Sequence, residues 1–268
     1  MQVDLDGRGV FVATGGRPHA LDAPLAVFLH GAAMDHSVWA LQARWFAHHG
    51  YRAAAVDLPG HGRSDGPALA SIEALAVWTL ALVGRLADGK ALLIGHSMGS
   101  LVALAAAALG PRQVAGLALI GAAAAIPVHP ALLAAAATDD PAAIAMLSLW
   151  GLGAEATLGG GETPGLWMLG GVERLLKNAP PGVLDVDLKA CNDYRGGLAA
   201  AAKVSVPTLL VLGERDLMTP CAAGKALAAA IAGARVVVAP GAGHLLPTER
   251  PEELVDALRS LTAPQPAA

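Results

Sequence analysis

Short apolar runs alternate with longer amphipathic or alanine-rich stretches along most of the chain. Eight of these runs have the length of strands, and several end at a turn-forming aspartate, glycine or proline. They are Val3–Asp6, Val10–Thr14, Leu25–Leu29, Arg52–Val56, Ala91–Ile94, Val114–Ile120, Pro207–Leu212 and Arg235–Ala239. The first two runs flank Asp6-Gly7, which predicts an opening hairpin.

Five stretches between or after these runs predict helices. They are Ser37–His49, Ser71–Ala87, Met98–Leu109, Cys221–Ala232 and Pro251–Leu261. Strands that alternate with helices favour a parallel sheet, because each crossover helix packs on one face of it. The chain is therefore expected to have an α/β fold, with a mostly parallel, eight-stranded sheet flanked by helices.

The alternation stops between residues 122 and 203. This stretch contains glycine and proline clusters and helix-like segments, and none of its runs resembles a sheet strand. We expect it to form a helical cap inserted after the sixth strand. Residues 1–121 and 204–268 would then form the core.

Composition narrows the range of functions. The chain has 268 residues, of which 54% are hydrophobic and 15% charged, with a formal net charge of −4. This balance gives no electrostatic reason to expect a nucleic acid or an anionic membrane as partner. The longest apolar run, Val114–Val128, is too short to span a bilayer. Nothing in the sequence indicates the oligomeric state.

The cysteines and glycines give no indication of a bound group. Cys191 and Cys221 lack metal-ligand spacing, and no phosphate-binding or dinucleotide glycine loop is present. We therefore expect neither a metal nor a cofactor. The N-terminus has no secretory pattern, so reduced thiols and a cytoplasmic location are expected.

The strongest chemical signal is the pentapeptide Gly95-His96-Ser97-Met98-Gly99 between a predicted strand and a predicted helix. A serine hydroxyl is a poor nucleophile unless the backbone holds it out beside a base. A tight strand-to-helix turn with flanking glycines can do this. The alternative is an ordinary serine in a glycine-rich loop. The setting favours Ser97 as a nucleophile.

Four motifs, in this order, resemble those of the α/β-hydrolase superfamily. They are His30-Gly31-Ala32-Ala33, Asp57-Leu58-Pro59-Gly60-His61-Gly62-Arg63-Ser64, the pentapeptide, and the segments around Asp216 and His244. The resemblance covers nearly the whole chain outside the middle segment. Many members have a further glycine where this chain has Ser100, whose side chain we expect to face the helix packing surface or the backbone.

The resemblance implies a catalytic triad. His244 follows the last predicted strand, at the sheet edge where the pentapeptide also lies, and would act as the base. Asp216 would orient the imidazole, with Glu214 as its local rival. The resemblance also implies two backbone donors for an oxyanion, from Met98 and Ala32, with Ala33 as the alternative to Ala32.

The middle segment is expected to supply the substrate pocket. Candidate lining residues, there and beside the turns, are His30, His96, Met146, Trp150, Trp167 and Met168. Each of them could instead pack the cap onto the core, and His129 is treated as a surface or rim residue. Because lysine and arginine are sparse in this segment, we expect a small-molecule substrate with a largely apolar acyl group.

Three functions remain open at this point. The leading one is hydrolysis of a carboxylic ester, or a related thioester or lactone, through an acyl-enzyme. The second is hydrolysis of a carbon–carbon bond in a ring-cleavage product with the same triad. The third is a non-enzymatic, ligand-binding protein built on a hydrolase scaffold.

Overall fold

In the computed structural model, which describes residues 1–19, 22–160 and 167–262, eight strands form one sheet in the order β1-β2-β4-β3-β5-β6-β7-β8. The strands are β1 (Gln2–Leu5), β2 (Arg8–Ala13), β3 (Leu25–Leu29), β4 (Arg52–Val56), β5 (Ala91–His96), β6 (Val114–Ile120), β7 (Thr208–Gly213) and β8 (Arg235–Ala239).

The sheet is antiparallel at one end and parallel elsewhere. β1 pairs with β2, and β2 with β4, in antiparallel fashion, whereas β3 to β8 pair in parallel. Asp6 and Gly7 both have positive φ, at 54° and 79°, as a tight hairpin turn requires. The predicted hairpin and the predicted mostly parallel sheet are both confirmed.

The helices match the predicted pattern in the core of the fold. They are α1 (Ala40–His48), α2 (Ile72–Leu86), α3 (Met98–Leu109), α4 (Pro130–Ala136), α5 (Pro141–Gly151), α6 (Ala154–Thr157), α7 (Met168–Lys177), α8 (Val183–Asp193), α9 (Gly197–Ala201), α10 (Cys221–Ala229), α11 (Leu246–Glu249) and α12 (Pro251–Thr262). The helix predicted over Ser37–His49 is divided, because a short 3₁₀ turn over His36–Trp39 precedes α1.

The parallel strands are buried on both faces. In β3, Val27 belongs to one hydrophobic cluster and Phe28 to the other, as alternation across a pleated strand requires. Helix α3 is almost wholly buried and packs against α2, β5 and β6. Two-sided burial explains why these strands appear in the sequence as continuous apolar runs rather than alternating ones.

Helices α4 to α9 occupy the chain between β6 and β7. We call the described residues of this stretch, 121–160 and 167–207, the helical segment. Within it α4 contacts α5 and α8, and α5 contacts α7, while α9 packs against α3 of the core. The domain boundaries at 121/122 and 203/204 remain predictions. Across the described residues, no helix has both the length and the apolar character needed to cross a membrane.

Candidate active site

Parallel strands bring distant loops to one edge of the sheet. In the register of the sheet, Leu29 of β3 lies beside Gly95 of β5, and Gly213 of β7 lies beside Ala239 of β8. The loops that follow these strands carry the predicted oxyanion turn, Ser97, Asp216 and His244. The crevice beyond the carboxyl ends of such strands is where open α/β sheets bind ligands.

Ser97 stands at a strained turn between β5 and α3. Its φ is 54° and its ψ is −118°, a conformation that a residue with a Cβ adopts only when its surroundings enforce it. The Ser97 N–H donates to the Ile120 carbonyl at 3.0 Å. The Ser100 hydroxyl donates to the Ser97 carbonyl at 2.6 Å, so the expectation that Ser100 faces the backbone is confirmed.

The two glycines of the pentapeptide allow a close approach of backbones. A Cβ on Gly95 would collide with the carbonyl of Gly99, and a Cβ on Gly99 would collide with the carbonyls of Leu29 and His30. Both obstacles are backbone atoms, which cannot move aside as a flexible side chain can. The turn that exposes Ser97 therefore requires glycine at both positions.

His244 and Asp216 form a buried pair. His244 Nδ1 lies 2.8 Å from Asp216 Oδ2, and the two residues are 2% and 5% exposed. An ionised carboxylate can only accept, so Nδ1 carries the proton and Nε2 offers a lone pair. His244 Nε2 is buried and has no hydrogen-bond partner among the described residues. Ser97 and His244 line the same cavity.

Three further donors hold Asp216 in place. The N–H groups of Met218 and Thr219 both donate to Oδ1 at 2.8 Å, and the Thr219 hydroxyl donates to Oδ2 at 2.7 Å. Burial favours a raised pKa for Asp216, but the charge that His244 carries when protonated and the hydrogen bonds from His244 and Thr219 outweigh burial and lower that pKa. Sequence reasoning missed Thr219, although a threonine three residues after an aspartate is a recognisable turn pattern.

The rival carboxylate, Glu214, faces another way. Its side chain is about half exposed, and Oε2 accepts from the Gly241 N–H at 2.9 Å. Of the two acidic residues considered in this loop, the structure brings Asp216 to the imidazole of His244.

His96 and His30 lie beneath the site rather than in it. Both are fully buried, and burial lowers the pKa of each to about 3, so both rings are neutral. His96 Nε2 lies 2.9 Å from the carbonyl of His244, to which it donates. His30 Nε2 accepts from the Leu58 N–H at 3.1 Å. Neither ring lines the cavity, so the expectation that they do is corrected: each is used to fix a neighbouring loop.

In the turn after β3, the backbone donor of Ala33 is engaged, and the neighbouring Ala32 lines the cavity. The Ala33 N–H donates to Asp187 Oδ2 at 2.8 Å, so the alternative donor considered above is occupied. Ala32 lines the cavity together with Ser97. Met98 is the first residue of α3, where a backbone N–H has no intrahelical acceptor. Ala32 and Met98 are thus the available donors beside Ser97.

The cavity above Ser97 measures about 310 Å³. The helical segment supplies most of its wall, through apolar side chains of α4, α5, α7 and α8: Leu132, Leu147, Trp150, Val172, Leu176 and Leu188. The lining residues that the structure describes include no Lys, Arg, Asp or Glu, and their polar side chains are chiefly those of Ser97, His129 and His244.

Only part of the expected pocket wall is found where the sequence placed it. Trp150 lines the cavity, in edge-on contact with His129 at 5.6 Å, and His129 lines it as well. Met168 instead lies in the hydrophobic core, Met146 packs against that core without lining the cavity, and Trp167 is 66% exposed. An irregular helical segment offers several apolar faces, and sequence alone does not tell which one faces Ser97.

A buried carboxylate also secures the loop that carries His244. Glu249 accepts from the N–H groups of Gly153, Gly243 and Leu245, at 2.9, 3.0 and 3.1 Å. The His244 N–H itself donates to the carbonyl of Gly151, the last residue of α5, at 2.8 Å. The helical segment is therefore bonded directly to the histidine loop.

Outside the triad, a cluster of two aspartates and a histidine has residue types that can bind a metal ion. Ligand atoms of Asp35, His36 and Asp57 lie within 4.8 Å of one another. The Asp57 oxygens already accept from His36 and from the Arg63 N–H, at 2.7 to 2.9 Å. These hydrogen bonds hold the turn after β4 in place, and this structural role explains why the three side chains lie together.

Comparison with known proteins identifies the family of this chain. The sequence profile of the Alpha/beta hydrolase family matches residues 26–257. The chain belongs to the α/β-hydrolase family. This α/β hydrolase is 30% identical over 239 residues to a pimeloyl-(acyl-carrier protein) methyl ester esterase from Methylococcus capsulatus. The aligned residues cover 82% of this chain and 85% of the relative.

Solved structures of other α/β hydrolases superpose on the whole chain. The enol-lactonase from Burkholderia xenovorans LB400 gives a TM-score of 0.87 at 26% identity, covering 98% of this chain and 99% of that one. Est816, an N-acyl homoserine lactone degrading enzyme, gives 0.80 at 26% identity, covering 97% and 99%. These relatives are named esterases and hydrolases, so the α/β hydrolase is an enzyme, and the non-enzymatic alternative is set aside.

Proposed function

We propose that the enzyme hydrolyses carboxylic esters, including thioesters and lactones, through an acyl-enzyme formed on Ser97. The observation that carries this proposal is the buried His244–Asp216 pair, 2.8 Å apart, with Nε2 of His244 free of partners among the described residues and with His244 and the strained Ser97 lining one cavity. A nucleophile beside a base, with the base held by a third group, is the geometry that activates a serine.

The residues divide the work of acylation. Ser97 Oγ attacks the substrate carbonyl carbon while its proton passes to His244 Nε2. Asp216 remains ionised and stabilises the imidazolium that forms, which its lowered pKa supports. The imidazolium then gives the proton to the departing alcohol, thiol or ring oxygen. The acyl group stays on Ser97.

Deacylation repeats the same steps with water. His244 takes a proton from the attacking water, and the new tetrahedral centre collapses to the free acid and the Ser97 hydroxyl. In both halves the carbonyl oxygen becomes an oxyanion. We assign its donors to the N–H groups of Ala32, which lines the same cavity as Ser97, and of Met98, which follows Ser97; neither donor belongs to a helix ladder.

The cavity favours a neutral acyl group. Among the described lining residues none is charged at neutral pH apart from any protonated histidine, so a carboxylate inside the cavity would lack a cationic partner. The names of the relatives, one an ester hydrolase and two lactone-cleaving enzymes, support an ester or lactone as the reacting group. We expect a small-molecule partner, and unpaired Cys191 and Cys221 support a cytoplasmic location.

Labelling and turnover together test the proposal. A fluorophosphonate probe is expected to label Ser97, and p-nitrophenyl butyrate is expected to be hydrolysed. Ser97→Ala should lose both properties, whereas Ser205→Ala, at an exposed serine, should keep both. Carbon–carbon hydrolysis is tested in parallel with a vinylogous diketone. If wild-type enzyme cleaves only the diketone, or is neither labelled nor active on any ester, the proposal is wrong.

A further inference from the structure

Asp187 lies on α8 of the helical segment, far from the triad in sequence, yet it contacts the turn that carries Ala32. We propose that Asp187 is a positioning residue that holds this turn, Gly31 to Ala33, in the conformation needed to bind the oxyanion. The inference rests on the proposed function, because it concerns the oxyanion formed during ester hydrolysis.

One oxygen of Asp187 makes two contacts with the core of the fold. Oδ2 accepts from the Ala33 N–H at 2.8 Å and lies 2.8 Å from His61 Nε2. Asp187 and His61 are each 1% exposed. Ala33 follows β3, and His61 belongs to the turn after β4, so a single carboxylate joins α8 to two separate core loops.

The hydrogen bonds of His61 identify its charge state. Its Nε2 faces the Asp187 carboxylate, and its Nδ1 lies 3.0 Å from the carbonyl of Pro59. Both neighbours can only accept, so both ring nitrogens carry protons and the ring is an imidazolium. Burial lowers the pKa of His61, but the hydrogen bond and charge of Asp187 outweigh burial and raise it. Asp187 and His61 thus form a buried ion pair.

The turn needs this support because of the conformation of Ala33. Its φ is 55°, in the left-handed region that a residue with a Cβ disfavours. The bond to Asp187 fixes the peptide between Ala32 and Ala33, and thereby limits the rotation of Ala32. Without an acceptor at this place, the Ala32–Ala33 peptide can rotate and Ala33 can return to an ordinary φ, so the backbone of the turn at Ala32 is no longer held.

A purely structural role for Asp187 makes a different prediction. If the residue only fastened α8 to the core, its loss would lower stability and loosen the cavity wall, and KM would rise. If it positions the oxyanion turn, its loss weakens binding of the transition state more than that of the substrate. The effect then falls on kcat, and on inhibitors that imitate the tetrahedral intermediate.

The experiment compares three variants on p-nitrophenyl butyrate. Asp187→Ala removes the acceptor, whereas Asp187→Asn keeps an oxygen that can accept from Ala33 but loses the charge. Asp185→Asn is the matched control, since Asp185 lies on the same helix and pairs with Lys189 at 2.7 Å. For each protein kcat, KM, the melting temperature and the inhibition constant of an alkylboronic acid are measured.

We expect Asp187→Ala to lower kcat by about 100-fold, the scale of losing one oxyanion donor, with KM changed by less than about threefold. The boronic acid should bind more weakly by a similar factor. Asp187→Asn should recover kcat to within about tenfold of wild type, because the Ala33 bond is kept. Asp185→Asn should match wild type in all four measurements.

Two results would overturn the inference. One is a folded Asp187→Ala protein with wild-type kcat, and the other is a rise in KM with kcat and boronic acid affinity unchanged. If Asp187→Ala does not fold, Asp187→Asn carries the test, with a 3- to 10-fold loss in kcat expected and wild-type kcat contradicting it. If the wild-type enzyme is neither labelled nor active, the proposed function itself is contradicted. If the wild-type enzyme is active but kcat does not change when Asp187 is replaced, only the positioning role is contradicted.

Discussion

Asp216 Oδ2 lies 2.8 Å from Nδ1 of His244, and both residues are almost fully buried. The carboxylate fixes the tautomer in which Nε2 can take a proton from Ser97. We expect Asp216→Asn to lower kcat on p-nitrophenyl butyrate by roughly 10³- to 10⁴-fold with little change in KM. Steady-state kinetics measures this. Glu214→Gln is the control, and an equal loss there would reassign the acidic member of the triad.

Gly99 should be irreplaceable for a steric reason. A Cβ there meets backbone carbonyls, so Gly99→Ala should cost about 3 kcal/mol or more in the free energy of unfolding. For a domain of this size, that lowers the melting temperature by roughly 6–12 °C. Calorimetry measures it. Gly171→Ala, in α7 with open space around it, should leave the melting temperature equal or slightly higher. Equal effects at both positions would contradict the steric account.

Charge on the acyl group should decide turnover. The p-nitrophenyl monoester of adipic acid has the chain length of p-nitrophenyl hexanoate but carries a carboxylate at its end. Burying an unpaired carboxylate costs several kcal/mol, so kcat/KM for the monoester should be lower by about 100-fold or more. Competitive assays of the two esters measure the ratio. A ratio near one would show that a cationic group reaches the acyl end.

Trp150 and Trp167 should differ in their effect on substrate size. Trp150 lines the cavity, so Trp150→Ala enlarges it and should move the preferred acyl chain to greater length. Hydrolysis of short esters should weaken by about tenfold through lost apolar contact. Trp167→Ala, at a largely exposed side chain, should keep the wild-type profile. The preferred acyl length is measured with a series of p-nitrophenyl esters of increasing chain length. If that preference changes only in the Trp167 variant, Trp167 and not Trp150 lines the cavity.

The buried ion pair predicts a pH dependence of stability. Burial lowers the pKa of His61, but the hydrogen bond and charge of Asp187, together with the charge of Asp57, outweigh burial and raise that pKa in the folded protein. The ring of His30, 4.9 Å from that of His61, is neutral and adds no opposing charge. The pair therefore stabilises fully below the unfolded value of about 6.5, and this contribution is lost as pH rises through the folded pKa.

Urea unfolding of wild type and His61→Gln tests this dependence. The difference in the free energy of unfolding between the two should be greatest near pH 6, on the order of 2 kcal/mol, and should shrink toward pH 9. A difference that grows with pH would mean that His61 is neutral in the folded protein.

The sheet was predictable because buried parallel strands produce a distinctive pattern of apolar residues in the sequence. Residues such as Val27 and Phe28 are adjacent, face opposite layers and are both buried, so the strand is a continuous apolar run. Once those runs are ordered, their carboxyl ends meet at one edge, and the resemblance to the α/β-hydrolase superfamily singles out Ser97, Asp216 and His244 among the residues there.

The contacts that support the active site produce no such sequence pattern. The bonds of Asp187 to Ala33 and His61 join residues 154 and 126 positions apart, and they exist only after α8 docks on the core. The cavity wall posed a related problem. Met146 and Trp150 lie four residues apart on α5, a mostly apolar helix, and both pack against the same hydrophobic cluster. Only the docking of the helix decides that Trp150 also lines the cavity whereas Met146 does not.

The attachment of Gly151 to the histidine loop couples the wall of the cavity to the general base. The Gly151 carbonyl accepts from the N–H groups of both His244 and Leu245, at 2.8 and 3.0 Å. The general base and the end of α5 therefore share one backbone anchor. A change that moved the C-terminal end of α5 would also move His244, so pocket shape and base position cannot vary independently at this end of the cavity.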